Sequence, residues 1–199
     1  MTVLDLDVVL TDYLVGTECL CFAVLSKNNK GALFSFLFFL SVAISAFLGG
    51  TYHGFFPLKT STASGFLIWI CTLAGIGGTA VCLWHFLTGS IKISLVLWLA
   101  FIFYVSFIDH RFWVAVIFYL LPLTLFIFTN AKSYWKHPNT QARWGVIAGL
   151  TTLVASIFQQ RKIGIDPHYF DHNALYHLLE MAALLCFYFC FKPVTALRI

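Results

Sequence analysis

Seven apolar runs, each near the length of a membrane-crossing helix, constrain this 199-residue chain more than any other feature. They are Val8–Leu25, Leu33–Phe55, Ala63–Leu87, Ile91–Ile108, Phe112–Phe128, Ala142–Phe158 and His172–Phe191. A helix needs roughly 20 apolar residues to cross a bilayer, with a range of about 17–25. Hydrocarbon offers the backbone no water, so only helices or a closed barrel can cross it. The runs lack the strict alternation a barrel strand requires, so helices are expected. Composition agrees: 60% of residues are hydrophobic and only 10% are charged. Ordinary soluble domains carry about a quarter charged residues. The expected fold is an all-α polytopic membrane protein, with seven transmembrane helices in one bundle and a single domain over residues 1–199.

Details of the runs refine this expectation. The fourth and fifth runs touch across only Asp109-His110-Arg111 and should form an antiparallel hairpin. Pro122 is placed to kink the fifth helix. Gly75, Gly77 and Gly78 give the third helix a small-residue patch suited to close helix contact. The segment Met1–Asp7 is acidic where a signal peptide would be basic, so the first helix is expected to act as its own insertion signal. All six cysteines fall inside apolar runs without a CxxC and read as buried small hydrophobes. A net charge of +4, scattered along the chain, does not point to nucleic acid.

Lysine and arginine set the expected orientation. Lys59, Arg111, Arg161 and Lys162 fall on the N-terminal face. Lys27, Lys30, Lys92, Lys132, Lys136, Arg143, Lys192 and Arg198 fall on the other. Cytoplasmic loops carry the excess of positive residues, so the N-terminus is expected outside the cytoplasm and the C-terminus inside.

The acids do the opposite. Asp5, Asp7, Asp12, Glu18, Asp109, Asp166, Asp171 and Glu180 all lie on the N-terminal face or in the half-membrane beside it. His53, His110, His168, His172 and His177 lie there too, leaving only His85 and His137 on the other side. A bias in loop lysines does not account for Glu18 and Glu180, which sit inside apolar runs. Ionisable groups within a membrane are costly and are read as functional. At 1.5 Å per residue, His177 lies roughly 8 Å below the start of its helix, Glu180 roughly 12 Å, and Glu18 about 15 Å along the first run.

Two constellations stand out. On the last helix Asn173, His177, Glu180 and Leu184 follow an i, i+4, i+7, i+11 stripe on one face. His172 is roughly 140° from His177 around a regular helix, so the two share a ligand only if His172 sits in an unwound turn. Asp166-Pro167 and a capping Asp171 would make such a turn. The plainer alternative is a capping cluster with one hydrogen-bonded histidine. In the second helix Ser45, Gly49 and His53 repeat every four residues, which is also the spacing of a simple packing face.

Together His53, His172 and His177 bring three imidazoles from two helices to matching depth. Three histidines and an open position for water make a catalytic zinc arrangement. Zinc would bring the water pKa to about 7. A carboxylate would take the proton and pass it to a leaving group, and Asp12, Glu18, Asp109 and Glu180 are the candidates. Glu180 can equally fix a ligand tautomer from the second shell.

The pattern resembles the superfamily of alkaline ceramidases, progestin/adiponectin-type receptors and Per1-like GPI-remodelling proteins. Its members carry Ser-x-x-x-His in the second helix, an Asp near the third and His-x-x-x-His in the seventh. The resemblance implies zinc held by three histidines, a serine partner at Ser45, and hydrolysis of a lipid amide or ester bond. This chain departs in three ways. It reads Gly49-x-x-x-His53 with Ser45 a turn further away. It has no acid between His53 and the end of the third helix. It carries Asn173 where the first seventh-helix histidine belongs, or has that histidine shifted to His172.

The expected function is therefore a zinc-dependent integral-membrane hydrolase of a lipid acyl bond, amide rather than ester, with membrane lipid as substrate. The alternative is a non-catalytic lipid-binding, receptor-like or transport protein built around a buried network of histidines and acids. A third reading is a proton-coupled carrier using Glu18 and Glu180.

Overall fold

A computed structural model describes residues 5–27, 33–56, 61–166 and 170–192. Lys30, Lys59, Pro167, His168 and Arg198, used above for topology and for the turn before the last helix, lie outside them. Among the described residues the chain forms seven helices. They are α1 (Leu6–Ser26), α2 (Leu33–Phe55), α3 (Ala63–Thr88), α4 (Ile91–Phe107), α5 (Phe112–Lys136), α6 (Thr140–Gln160) and α7 (His172–Phe191). All but α4 and α6 are long and apolar enough to cross a membrane.

Local chemistry sets the ends. Thr62, Ser90, Asn139 and Asp171 accept backbone N–H bonds at the starts of α3, α4, α6 and α7. Such caps satisfy donors that the first turn leaves open. Gly89 ends α3 in the left-handed region at φ 66°, where a side chain would be strained. The one large departure from the apolar runs is α5, which continues through the polar stretch after Phe128 to Lys136. There Thr129 and Asn130 donate back to Phe126 carbonyl, so their polar groups are satisfied on the helix itself. The helix stops before Pro138, which pushes His137 into the extended region. Pro122 lies buried within α5.

Neighbouring helices close a ring: α1 packs on α2, α2 on α3, α3 on α5, α5 on α6, α6 on α7, and α7 back on α1. Helix α4 stays outside the ring against α3, with Phe101 stacked on Phe118 of α5. Small residues set these approaches, as the glycine patch predicts. A Cβ on Gly75 would sit 2.8 Å from Ser45 Cβ, and one on Gly77 would sit 2.5 Å from the Phe101 ring.

On α1 polar side chains share the buried face while leucines turn outward. In α1 the buried face includes Thr11, Asp12, Gly16, Cys19 and Ser26. Leu10 and Leu14 point outward at 55% and 54% exposure, whereas Asp12 is 5% exposed. One end of the ring is polar. There Asp171 N–H donates to Asp7, Trp69 donates to the His110 carbonyl, and Gln159 donates to Asn173. The other end is filled by aromatic rings, among them Phe22, Phe38, Phe39, Phe126, Phe187 and Phe191.

Candidate functional site

A cavity of about 240 Å³ lies inside the ring. Each of the six ring helices contributes to its lining and α4 contributes nothing. Toward the polar end the lining includes Asp12, His53, Gln159, Asn173 and His177. Toward the aromatic end it includes Phe38, Val42, Leu123 and Leu184. The space is polar at one end and apolar at the other, as an amphiphile requires.

Its polar centre is a three-residue chain. His177 Nε2 is 3.2 Å from Asp12 Oδ1, and His177 Nδ1 is 3.0 Å from Thr11 Oγ1. The Thr11 hydroxyl has one proton, and it donates that proton to the Asp7 carbonyl at 2.8 Å. The imidazole thus bridges Thr11 and Asp12, one ring nitrogen to each.

Two adjacent glycines bring Asp12 to this place. A Cβ on Gly49 would lie 3.4 Å from Asp12 Oδ2, and one on Gly50 would lie 3.0 Å from Asp12 Cβ and 2.8 Å from the Tyr13 ring. The Gly-Gly step of α2 thus admits the acidic face of α1. Ser45 lines the cavity, but its hydroxyl donates to the Thr72 carbonyl at 2.9 Å, tying α2 to α3.

The stripe expected on α7 is realised. Asn173, His177, Glu180 and Leu184 all line the cavity. Asp171 caps the helix through the N–H groups of Asn173 and Ala174. His53 lines the same cavity, with Nδ1 3.9 Å from Asp5 Oδ2. His172 stands elsewhere: its Nδ1 is 3.5 Å from Asp171 Oδ2, and it is not part of the lining. The residue beside His177 is Asp12.

The other candidate acids separate. Glu180 lines the cavity, with Oε1 3.5 Å from Thr152 Oγ1 and Oε2 buried without a hydrogen-bond partner among the described residues. Glu18 is outside the lining, and its Oε2 is likewise buried and unpartnered. Asp109 binds Arg111 at 2.7 Å in the α4–α5 turn, and that guanidinium holds its carboxyl below the usual carboxylate range. Thr11, Tyr119, Thr152, Gln159 and Tyr176 complete the polar surroundings, and none was singled out by spacing. Thr11 alone left a trace, as the immediate neighbour of Asp12.

Among the described residues no three His, Cys, Asp or Glu side chains form a complete metal cage. The Asp12–His177 pair nevertheless suits a shared cation. Ligand bonds to zinc of about 2.0–2.2 Å at a tetrahedral angle put two donors a little over 3 Å apart, the spacing seen here. Thr11 meets the other ring nitrogen, as a supporting partner does for a ligating histidine.

Residues 8–195 match the profile of a single family, from the start of α1 past the end of α7. The chain belongs to DUF6962, a family of unknown function. No curated protein and no solved structure matches it. The DUF6962 match takes in all seven helices and every residue of the cavity lining, and the family description names no activity.

Proposed function

We propose that this protein is an integral-membrane hydrolase acting on the acyl bond of a lipid, an amide rather than an ester. The supporting observation is the Asp12–His177–Thr11 chain set at the polar end of an otherwise apolar cavity. Five helices of membrane-crossing length, with leucines outward and polar groups inward, support the reading that the ring crosses the bilayer. The lysine and arginine distribution supports an orientation with the polar end and the N-terminus on the non-cytoplasmic side.

Each residue has a role in this reading. The acyl chain lies against Phe38, Val42, Leu123 and Leu184, leaving the scissile carbonyl at the level of Asp12 and His177. Asp12 takes the proton of an attacking water and returns it to the departing nitrogen, a step typically worth about 10²–10⁴-fold. Thr11 orients the His177 ring through Nδ1. Asn173, itself held by Gln159, offers a polar group to the substrate head. Asp12 and His177 are the pair that would hold zinc, which if bound would supply Lewis acidity and a more acidic water.

A second reading is an amphiphile-binding protein without chemistry. It is favoured by the Asn173–Gln159 pairing at the position where the resembling superfamily places a histidine.

The test is the purified protein in phosphatidylcholine nanodiscs, assayed for zinc content and for fatty-acid release from N-acyl lipids and phospholipids. About one zinc per chain, with release abolished in Asp12→Asn and His177→Ala, supports the hydrolase. Tight binding of N-acyl lipid with no release from any of them supports the second reading instead.

A further inference from the structure

We propose that Glu180 is a specificity-determining residue, marking a second polar station in the cavity that selects an occupant with a hydroxyl a few bonds beyond its head group. The inference rests on reading the cavity as an amphiphile site, but not on turnover.

The Asp12–His177 pair accounts for the head of an occupant. Below it an acyl tail would need only apolar lining, which Phe38, Leu123 and Leu184 provide. Glu180 interrupts that lining. It sits three residues beyond His177 on the same face of α7, about 4.5 Å deeper. A carboxyl held there for structural reasons alone would be fully bonded, because buried polar groups nearly always are. This one is not. Its Oε1 has a single contact, at the 3.5 Å outer limit, with Thr152. Its Oε2 has no partner among the described residues. Among the described residues no lysine or arginine lines the cavity to neutralise it.

The terminal torsion of a glutamate is broad, so a small rotation turns Oε2 into the space its side chain already lines. Tyr119 and Tyr176 also line the cavity. Oε2 of Glu180 is therefore an acceptor left open to a hydroxyl. Extended chain covers roughly 3.3–3.6 Å per three bonds. A donor about three bonds beyond a head group held at Asp12 and His177 would meet Glu180. A 3-hydroxyacyl chain has this geometry.

The test uses the full chain in phosphatidylcholine nanodiscs and two probes of equal length, dodecanamide and 3-hydroxydodecanamide. Each displaces a fluorescent dodecanoyl amide from the cavity. The hydroxylated amide is expected to compete about tenfold better, the ratio one net hydrogen bond supplies. Glu180→Met, which keeps the bulk and removes the acceptors, should bring the two amides level. Equal competition in the unaltered protein, or a preference that survives in Glu180→Met, overturns the proposal. Should that variant fail to fold, the isosteric Glu180→Gln decides: a reduced preference supports the assignment and an unchanged one overturns it. A hydroxyl preference without fatty-acid release would sink the hydrolase and leave this station standing. Displacement by neither amide would remove the amphiphile site beneath both.

Discussion

His177 Nε2 faces Asp12 Oδ1 at 3.2 Å while Thr11 occupies the other ring nitrogen. The residues come from opposite ends of the chain and meet because α7 closes the ring against α1. If Asp12 carries the proton in hydrolysis, Asp12→Asn should keep the fold and lower the rate of fatty-acid release by about 10²-fold or more. Retention of most activity in that variant would exclude Asp12 from the chemistry.

Thr11 bonds His177 and is not part of the cavity lining. Thr11→Val removes its hydroxyl at nearly constant volume, leaving Nδ1 without its partner. A net loss of about 0.5–1.5 kcal/mol of stability is expected. Zinc affinity should fall about 10–100-fold, the usual effect of losing an outer-shell partner. Thermal unfolding and metal titration measure the two effects separately.

If the proposed zinc is bound, its binding discriminates among the histidines. His177→Ala should abolish it, and His53→Ala should weaken it. His172→Ala should leave it intact, because His172 faces Asp171 away from the cavity. Elemental analysis of the three variants gives the comparison, and equal loss in His172→Ala would restore the three-histidine arrangement expected from spacing.

Gly75→Ala tests the packing. Its methyl group would sit 2.8 Å from Ser45 Cβ and 3.0 Å from the Ser41 carbonyl oxygen, part of a backbone that cannot swing aside. Helices α2 and α3 must separate, at a cost of about 1–3 kcal/mol. A lowered unfolding temperature is expected, together with weaker amphiphile binding as Ser45 and Thr72 move.

The Asp109–Arg111 pair should matter only above acid pH. Hydrogen bonds from Arg111 lower the Asp109 carboxyl from its ordinary 3.8. A depressed folded-state value stabilises above the unfolded value and is lost as pH falls through the folded one. The pair is exposed, so the effect should be small and weakened by salt. Stability of Asp109→Asn and of the unaltered protein should differ slightly near neutrality and converge as pH falls through the lowered Asp109 value.

Much of the site was legible in residue order because helical periodicity is local. The α7 stripe of Asn173, His177, Glu180 and Leu184 needed only the 3.6-residue repeat to be placed on one face, and all four line the cavity. Asp171 as a cap and the glycines of α3 as points of close approach were readable for the same reason. Helix α5 overran its apolar run because Thr129 and Asn130 bond back to the helix, a choice composition does not reveal.

The linear pattern alone determined that there would be long apolar helices, and that acids and most histidines would gather at one end of them. Those properties follow from hydropathy, turn length and periodicity, each a matter of near neighbours in sequence. Only tertiary structure decided which partner His177 would have. Thr11 and Asp12 lie more than 160 positions away. Their approach depends on ring closure between α1 and α7 and on the room left by Gly49 and Gly50. His172 has the same chemistry as His177 and nearly the same position, yet the turn at the helix start directs it to Asp171. Spacing along one helix gives the direction of a side chain, whereas its partner depends on how the other helices close around it.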